Sequence, residues 1–118
     1  MSESGRVRVA IGQIAPVFLN REATITKVIE AMREAAAQGA RLSAFGETLI
    51  PAYPAWLSRT DAARFEARDQ KELHARYLEQ AVDIDAGHLD DLTACAKELN
   101  LACIVGIAER PRYPAPHS

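Results

Sequence analysis

The sequence predicts one α/β domain built around a parallel sheet, with its elements in the order β-α-β-α-α-β. Two observations predict this class. Short apolar segments of strand type alternate with longer segments whose apolar residues recur at helical spacing. The last apolar segment, residues 101–108, is almost continuous, which is typical of a strand covered on both faces. With 118 residues, the chain has the size of one small domain.

The first two elements have the clearest signals. Residues 7–11 (VRVAI) alternate large apolar side chains with Arg8 and Ala10, which predicts a strand that ends near Gly12. A helix is predicted to begin after Asn20, a good N-cap residue, and to end near Gly39, a good C-terminal stop. The apolar face of this helix consists of Ile25, Val28, Ile29, Met32, Ala35 and Ala36.

The remaining elements follow from shorter patterns. Residues 42–45 (LSAF) predict a second strand, and residues 46–58, which contain two prolines, predict a loop. Residues 60–80 are mostly polar and predict one or two surface helices. A further amphipathic helix precedes the final strand, its face formed by Leu89, Leu92, Cys95, Ala96 and Leu99. The domain is expected to cover 1–110, and the proline-rich residues 111–118 are expected to form an irregular tail.

Composition excludes several classes of protein. A net charge of −2 without a Lys/Arg cluster argues against a nucleic-acid partner. No segment resembles a signal peptide or a membrane span, so we expect a cytoplasmic protein with no membrane partner. Cys95 and Cys103 do not have zinc-site spacing, and we expect packed, reduced thiols. Residues 83–87 (DIDAG) lack the glycine position and the distal Glu of a calcium loop. We therefore expect no metal and no cofactor.

One candidate catalytic residue stands out. Glu47 directly follows the predicted strand 42–45, and ligands of open α/β sheets bind beside the carboxyl ends of strands. Gly46 permits a sharp turn there, and the loop with Tyr53 and Pro54 could exclude water from the carboxylate. Desolvation would then suit Glu47 for proton transfer near neutral pH. The pattern alone leaves a second interpretation open, in which Glu47 is a solvated surface charge.

Several motifs together resemble the nitrilase (carbon–nitrogen hydrolase) superfamily. Residues 7–16 (VRVAIGQIAP) resemble its opening strand, and residues 34–41 (EAAAQGAR) resemble the end of its first helix. Residues 45–56 (FGETLIPAYPAW) are similar to the segment with its first catalytic residue, and residues 101–110 (LACIVGIAER) to the strand after its second helix. The amino-acid sequences of residues 46–48 and 53–56 are most similar to those of the nitrile-hydrolysing branch of the family.

The resemblance implies the N-terminal part of a four-layer α-β-β-α sandwich and a Glu-Lys-Cys mechanism that converts a nitrile and water into a carboxylic acid and ammonia. It places the general base at Glu47, with Tyr53 and Pro54 shaping the substrate pocket. It also implies a small nitrile substrate and a homo-oligomer, or self-association of the chain. No lysine or cysteine of this chain matches the family's catalytic Lys and Cys, so we expect the chain to be inactive alone.

Two alternatives stay open at this point. The chain could be a non-catalytic α/β module that binds a partner or a small molecule and uses Glu47 only for contact, or a truncated or frameshifted gene product without a function of its own. Whether the chain is an enzyme in its own right, and which nitrile a complete enzyme would take, are left open by the sequence.

Overall fold

The computed structural model describes residues 5–46, 48–52 and 68–110. Its strands and helices follow the predicted order β-α-β-α-α-β. They are β1 (Val9–Gly12), α1 (Arg21–Ala37), β2 (Leu42–Phe45), α2 (Arg68–Gln80), α3 (Asp90–Leu99) and β3 (Ala102–Ile104). The α/β class is therefore confirmed, while the predicted tail at 111–118 and part of the predicted 46–58 loop lie outside the described residues. Within the described part, no helix combines the length and the apolar character that a membrane crossing requires.

The three strands form a parallel sheet in the order β1-β2-β3, so β2 is central among them. Ala10 pairs with Ser43, and Ser43 pairs with Cys103. Side chains alternate between the two faces along each strand, and residues paired across neighbouring strands point to the same face. Ala10, Ser43 and Cys103 therefore share one face of the sheet. Ser43 is buried there, on the face of the sheet that the helices cover.

Helix α1 begins and ends as its sequence predicts. The Asn20 side chain accepts a hydrogen bond from the Ala23 backbone N–H at 3.0 Å, which satisfies one of the free donors of the first turn. At the other end Gly39 adopts φ +90°, a left-handed conformation in which glycine has no Cβ to clash. Ala40 then donates back to the Ala35 carbonyl at 3.0 Å, and the chain turns into β2.

The core lies between the sheet and the two helices α1 and α3. Met32 and Val28 of α1 are fully buried and belong to the same apolar cluster as Leu92 and Cys95 of α3. This burial stabilises the helix pair more than intrinsic propensity does, because each buried large aliphatic side chain contributes roughly 1.5–3 kcal/mol. The other buried members of the cluster are Ile25, Ala35, Ala40, Leu49, Ile50, Val82 and Leu101.

The opposite face of the sheet is exposed on its outer strands, so the described part of the chain does not cover the apolar run 101–108 on both faces. Ile11 and Ile104 are 77% and 60% exposed, and Val9 is 48% exposed. Ile11, Ala44 and Ile104 occupy one register row, so they point to one face. A continuous apolar run indicated cover on both faces, whereas the described helices cover only one.

Candidate active site

The carboxyl end of β2 is held by the chain that follows β3. The Gly106 backbone N–H donates to the Gly46 carbonyl at 3.2 Å, and the Gly106 carbonyl accepts from the Ile50 N–H at 3.3 Å. Ala108 then donates to the Ile50 carbonyl at 2.9 Å. The sheet therefore continues past β3. There, Ile50 rather than a residue of β2 pairs with the chain after β3, opposite Ile107.

The three site residues predicted from sequence, Glu47, Tyr53 and Pro54, lie outside the described residues. Their neighbours in the chain are described. Gly46 and Thr48 flank position 47, and both lie at the carboxyl edge of the parallel sheet, which is the edge where ligands bind in folds of this class.

The residues that follow position 48 enter the core at once. Leu49 is 6% exposed and Ile50 is fully buried, and Pro51 and Ala52 are buried as well. Ala52 belongs to a second apolar cluster with Leu19, against which Leu73 and Tyr77 of α2 pack. Because of this burial, residues 49–52 are anchored in the core, while residues 42–45 are held in the sheet as β2.

A further strand-like pairing extends this edge beyond β3. Val82, fully buried, donates to the Ala108 carbonyl at 2.7 Å and accepts from the Arg110 N–H at 2.6 Å. Arg110 also donates through its guanidinium to the Glu79 carbonyl at the end of α2. The pairing at Val82 was not predicted from the sequence, although the apolar run 101–108 indicated an extended segment that reaches Ala108.

Gly106 and Thr48 are the two residues of this region whose roles sequence analysis missed. A glycine inside an apolar strand often marks a close approach of another backbone, which here is that of residues 46–50. Thr48 has φ +46°, and no local signal indicates this, because threonine disfavours the left-handed region.

The two thiols belong to the apolar core between the sheet and the helices. Cys95 is buried and Cys103 half-buried, and both thiols are free. Burial raises the pKa of Cys103; the neighbouring Ser43 hydroxyl opposes that rise, and Cys95 adds slightly to it. Ser43 Oγ makes no hydrogen bond of ordinary geometry within the described part of the chain, so its contact with the thiol is a weak one. Lys27 donates through Nζ to the Ala15 carbonyl at 2.6 Å.

Burial makes Cys103 a poor nucleophile because it opposes formation of the thiolate, and burial of Cys95 limits the access of reagents to its sulfur. We expect iodoacetamide at pH 7 to label the native chain much more slowly than the chain unfolded in urea. The raised pKa also means that the Cys103 contribution to the free energy of unfolding is complete below the ordinary thiol pKa of 9.0 and is lost as pH rises beyond it. Cys103→Ala should cost about 1 kcal/mol in urea denaturation. Rapid labelling of the native chain at pH 6 would contradict this prediction.

Neither a metal centre nor the cavity beneath α1 points to another site. No group of three or more His, Cys, Asp or Glu side chains converges within residues 5–46, 48–52 and 68–110. Asp83 Oδ1 accepts from the Ala86 N–H at 3.2 Å and so forms a local turn. A cavity of about 240 Å³ lies between α1 and the sheet, lined among others by Ala10, Ser43 and Phe45. Its described lining does not include the 46–52 segment.

Comparison with known proteins is consistent with this geometry. Residues 8–117 match the family described as carbon-nitrogen hydrolase. A nitrilase of Pseudomonas syringae pv. syringae is 39% identical over 104 residues, which are 88% of this chain and 30% of that protein. An arylacetonitrilase of Aspergillus oryzae is 33% identical over 107 residues, which are 91% of this chain and 30% of that protein.

The chain belongs to the carbon–nitrogen hydrolase family, because the family match covers most of its length. It spans about 30% of the length of the relatives just named. The resemblance seen in the sequence is therefore confirmed at the level of the family, for a chain that corresponds to one part of these longer enzymes.

Proposed function

We propose that this chain is the N-terminal segment of a nitrile-hydrolysing enzyme and that Glu47 is its general base. The observation that carries the proposal is the position of Glu47 in the chain. In the sequence it follows Gly46 and precedes Thr48, two residues at the carboxyl edge of the sheet, and the relatives of this family member are named nitrilases and arylacetonitrilases. In this proposal Tyr53 and Pro54 shape the pocket beside the carboxylate.

The chemistry requires a base, a nucleophile and a cation. The Glu47 carboxylate takes the proton of a cysteine thiol, whose sulfur attacks the nitrile carbon, and the proton passes to the nitrile nitrogen to give a thioimidate. One water adds and ammonia leaves, which produces a thioester. A second water then releases the carboxylic acid and restores the thiol. A lysine stabilises the charge that develops on nitrogen.

Cys95 and Cys103 do not suit the nucleophile's role in this proposal. Both belong to the helix-covered side of the sheet, and burial raises the pKa of Cys103, which opposes thiolate formation. The cysteine and the lysine would instead come from sequence that corresponds to the rest of the longer relatives. The chain 1–118 alone is accordingly proposed to be inactive, to act as a soluble cytoplasmic protein, and to associate with copies of itself.

A chimera tests the proposal. Residues 1–110 would replace the corresponding segment of the Pseudomonas syringae nitrilase, and ammonia release would be measured with an arylacetonitrile and with an aliphatic nitrile. We expect the chimera to release ammonia from at least one nitrile and the chain 1–118 to release none above a buffer control. A folded chimera without activity on either nitrile would contradict the proposal and favour a non-catalytic binding module.

A further inference from the structure

The pairing between β2 and β3 changes register beside position 47. Ala44 pairs with Ile104, whereas Ile50 pairs with Ile107. Ala44 and Ile50 are therefore six positions apart in the sequence, whereas their partners Ile104 and Ile107 are three positions apart. In a regular parallel ladder these numbers are equal. Three extra residues are accommodated between Ala44 and Ile50, the interval that contains position 47, in the manner of an enlarged bulge.

One residue holds both ends of this bulge. In a regular parallel ladder the N–H and the carbonyl of a residue bond to two residues that are two positions apart on the neighbouring strand. Gly106 instead bonds to Gly46 at 3.2 Å and to Ile50 at 3.3 Å, which are four positions apart. The peptide groups of Gly106 therefore fix the separation between the entry and the exit of the bulge.

Thr48 supplies the turn inside the bulge. Its φ of +46° lies in the left-handed region, where a β-branched residue is an outlier and the backbone is strained. The next residues are anchored in the core, since Leu49 and Ile50 are 6% and 0% exposed. The surrounding packing thus compensates for an unfavourable backbone conformation one residue after position 47.

We propose that Thr48 and Gly106 are positioning residues for Glu47, a role that rests on the function proposed above. Gly46 and Thr48 are the covalent neighbours of position 47, and consecutive Cα atoms lie about 3.8 Å apart. The hydrogen bonds of Gly106 and the turn at Thr48 therefore constrain the backbone on both sides of this position. A misplacement of about 1 Å is enough to cost on the order of a hundredfold in rate when a catalytic group must meet its partner.

Three variants at Thr48 in the chimera test this role. Proline fixes φ near −65° and cannot adopt the observed conformation, whereas glycine and asparagine tolerate the left-handed region. We expect Thr48→Pro to lower kcat at least about thirtyfold with KM changed little. Thr48→Gly and Thr48→Asn should keep kcat within about threefold of the parent. Rescue by asparagine would indicate that backbone conformation, rather than the threonine side chain, is what matters.

Asn100 offers a matched control, since it also has a positive φ, +53°, but caps the end of α3. Asn100→Pro should lower the melting temperature of the chimera and leave kcat at low temperature nearly unchanged. If both proline variants lower kcat equally, Thr48 has only a structural role and the proposal is wrong. If Thr48→Pro keeps full kcat while Glu47→Gln is inactive, the proposal that Thr48 positions Glu47 is wrong, and the general-base proposal stands. If Glu47→Gln is fully active, the proposed function itself fails.

Hydrogen exchange on the parent chimera decides the case in which Thr48→Pro does not fold. The amides of Gly106 and Ile50 should be protected to the same degree as the amide of Ala108, which bonds to the Ile50 carbonyl at 2.9 Å. Exchange of Gly106 and Ile50 at the rate of an unstructured peptide, with Ala108 protected, would show that the bulge is not clamped and would overturn the proposal.

Discussion

Replacing Glu47 with glutamine in the chimera is expected to lower kcat by about a hundredfold or more, because glutamine keeps the shape of the side chain but cannot accept a proton. The loss should appear in kcat rather than in KM, since the proton is transferred in the chemical steps and not on binding. The substitution changes neither the backbone nor the buried residues of the 48–52 segment, so the melting temperature should stay close to that of the parent.

Glu30→Gln is the matched control for this experiment. Glu30 is exposed on α1, and removal of its charge should change kcat less than about twofold. Ammonia release at saturating nitrile would be measured for both variants across pH 5–9. Turnover of Glu47→Gln close to that of Glu30→Gln would show that Glu47 is not the base. A carboxylate elsewhere in the chimera would then have to be sought.

Much of the fold could be predicted because its signals are local. The periodicity of α1, the Asn20 cap and the Gly39 stop each depend on a few neighbouring residues, and all three are observed. The run 101–108 predicted one strand covered on both faces, whereas β3 spans Ala102–Ile104 and pairing continues beyond it at Ile107 and Glu109. A continuous apolar run indicates burial only if something is present to cover each face, and sequence periodicity carries no information on that partner.

The site was predictable only in part, for the same reason. The motif of residues 45–48 placed a carboxylate after β2, and its described neighbours do lie at the carboxyl edge of the sheet. The change of register between Ala44 and Ile50 could not be predicted, because it depends on a residue 60 positions further along the chain than Gly46. The positive φ of Thr48 runs against the intrinsic preference of threonine, so only tertiary packing accounts for it.

The open face of the sheet leads to the second large effect. Among the exposed apolar side chains, Val9, Ile11 and Ile104 come from the two outer strands of the described sheet. Burying such surface against another copy is favourable by about 25 cal/mol per Å² of apolar area. Contiguous exposed apolar surface of this kind promotes association. We therefore expect the purified chain 1–118 to elute in size-exclusion chromatography well above its monomer mass of 12.9 kDa.

The double variant Ile11→Lys/Ile104→Lys should shift this elution toward the monomer, because two charges on the face would lose their hydration if a second copy covered it. The fold should tolerate these changes, since the two side chains are 77% and 60% exposed. Ile84→Lys is the control: Ile84 is 47% exposed and belongs to the segment between α2 and α3 rather than to a strand of the sheet. It should leave the elution volume unchanged. A monomeric parent chain would show that the exposed sheet face does not cause association. Equal shifts in elution volume for the face variant and the Ile84→Lys control would show that association does not depend on this face.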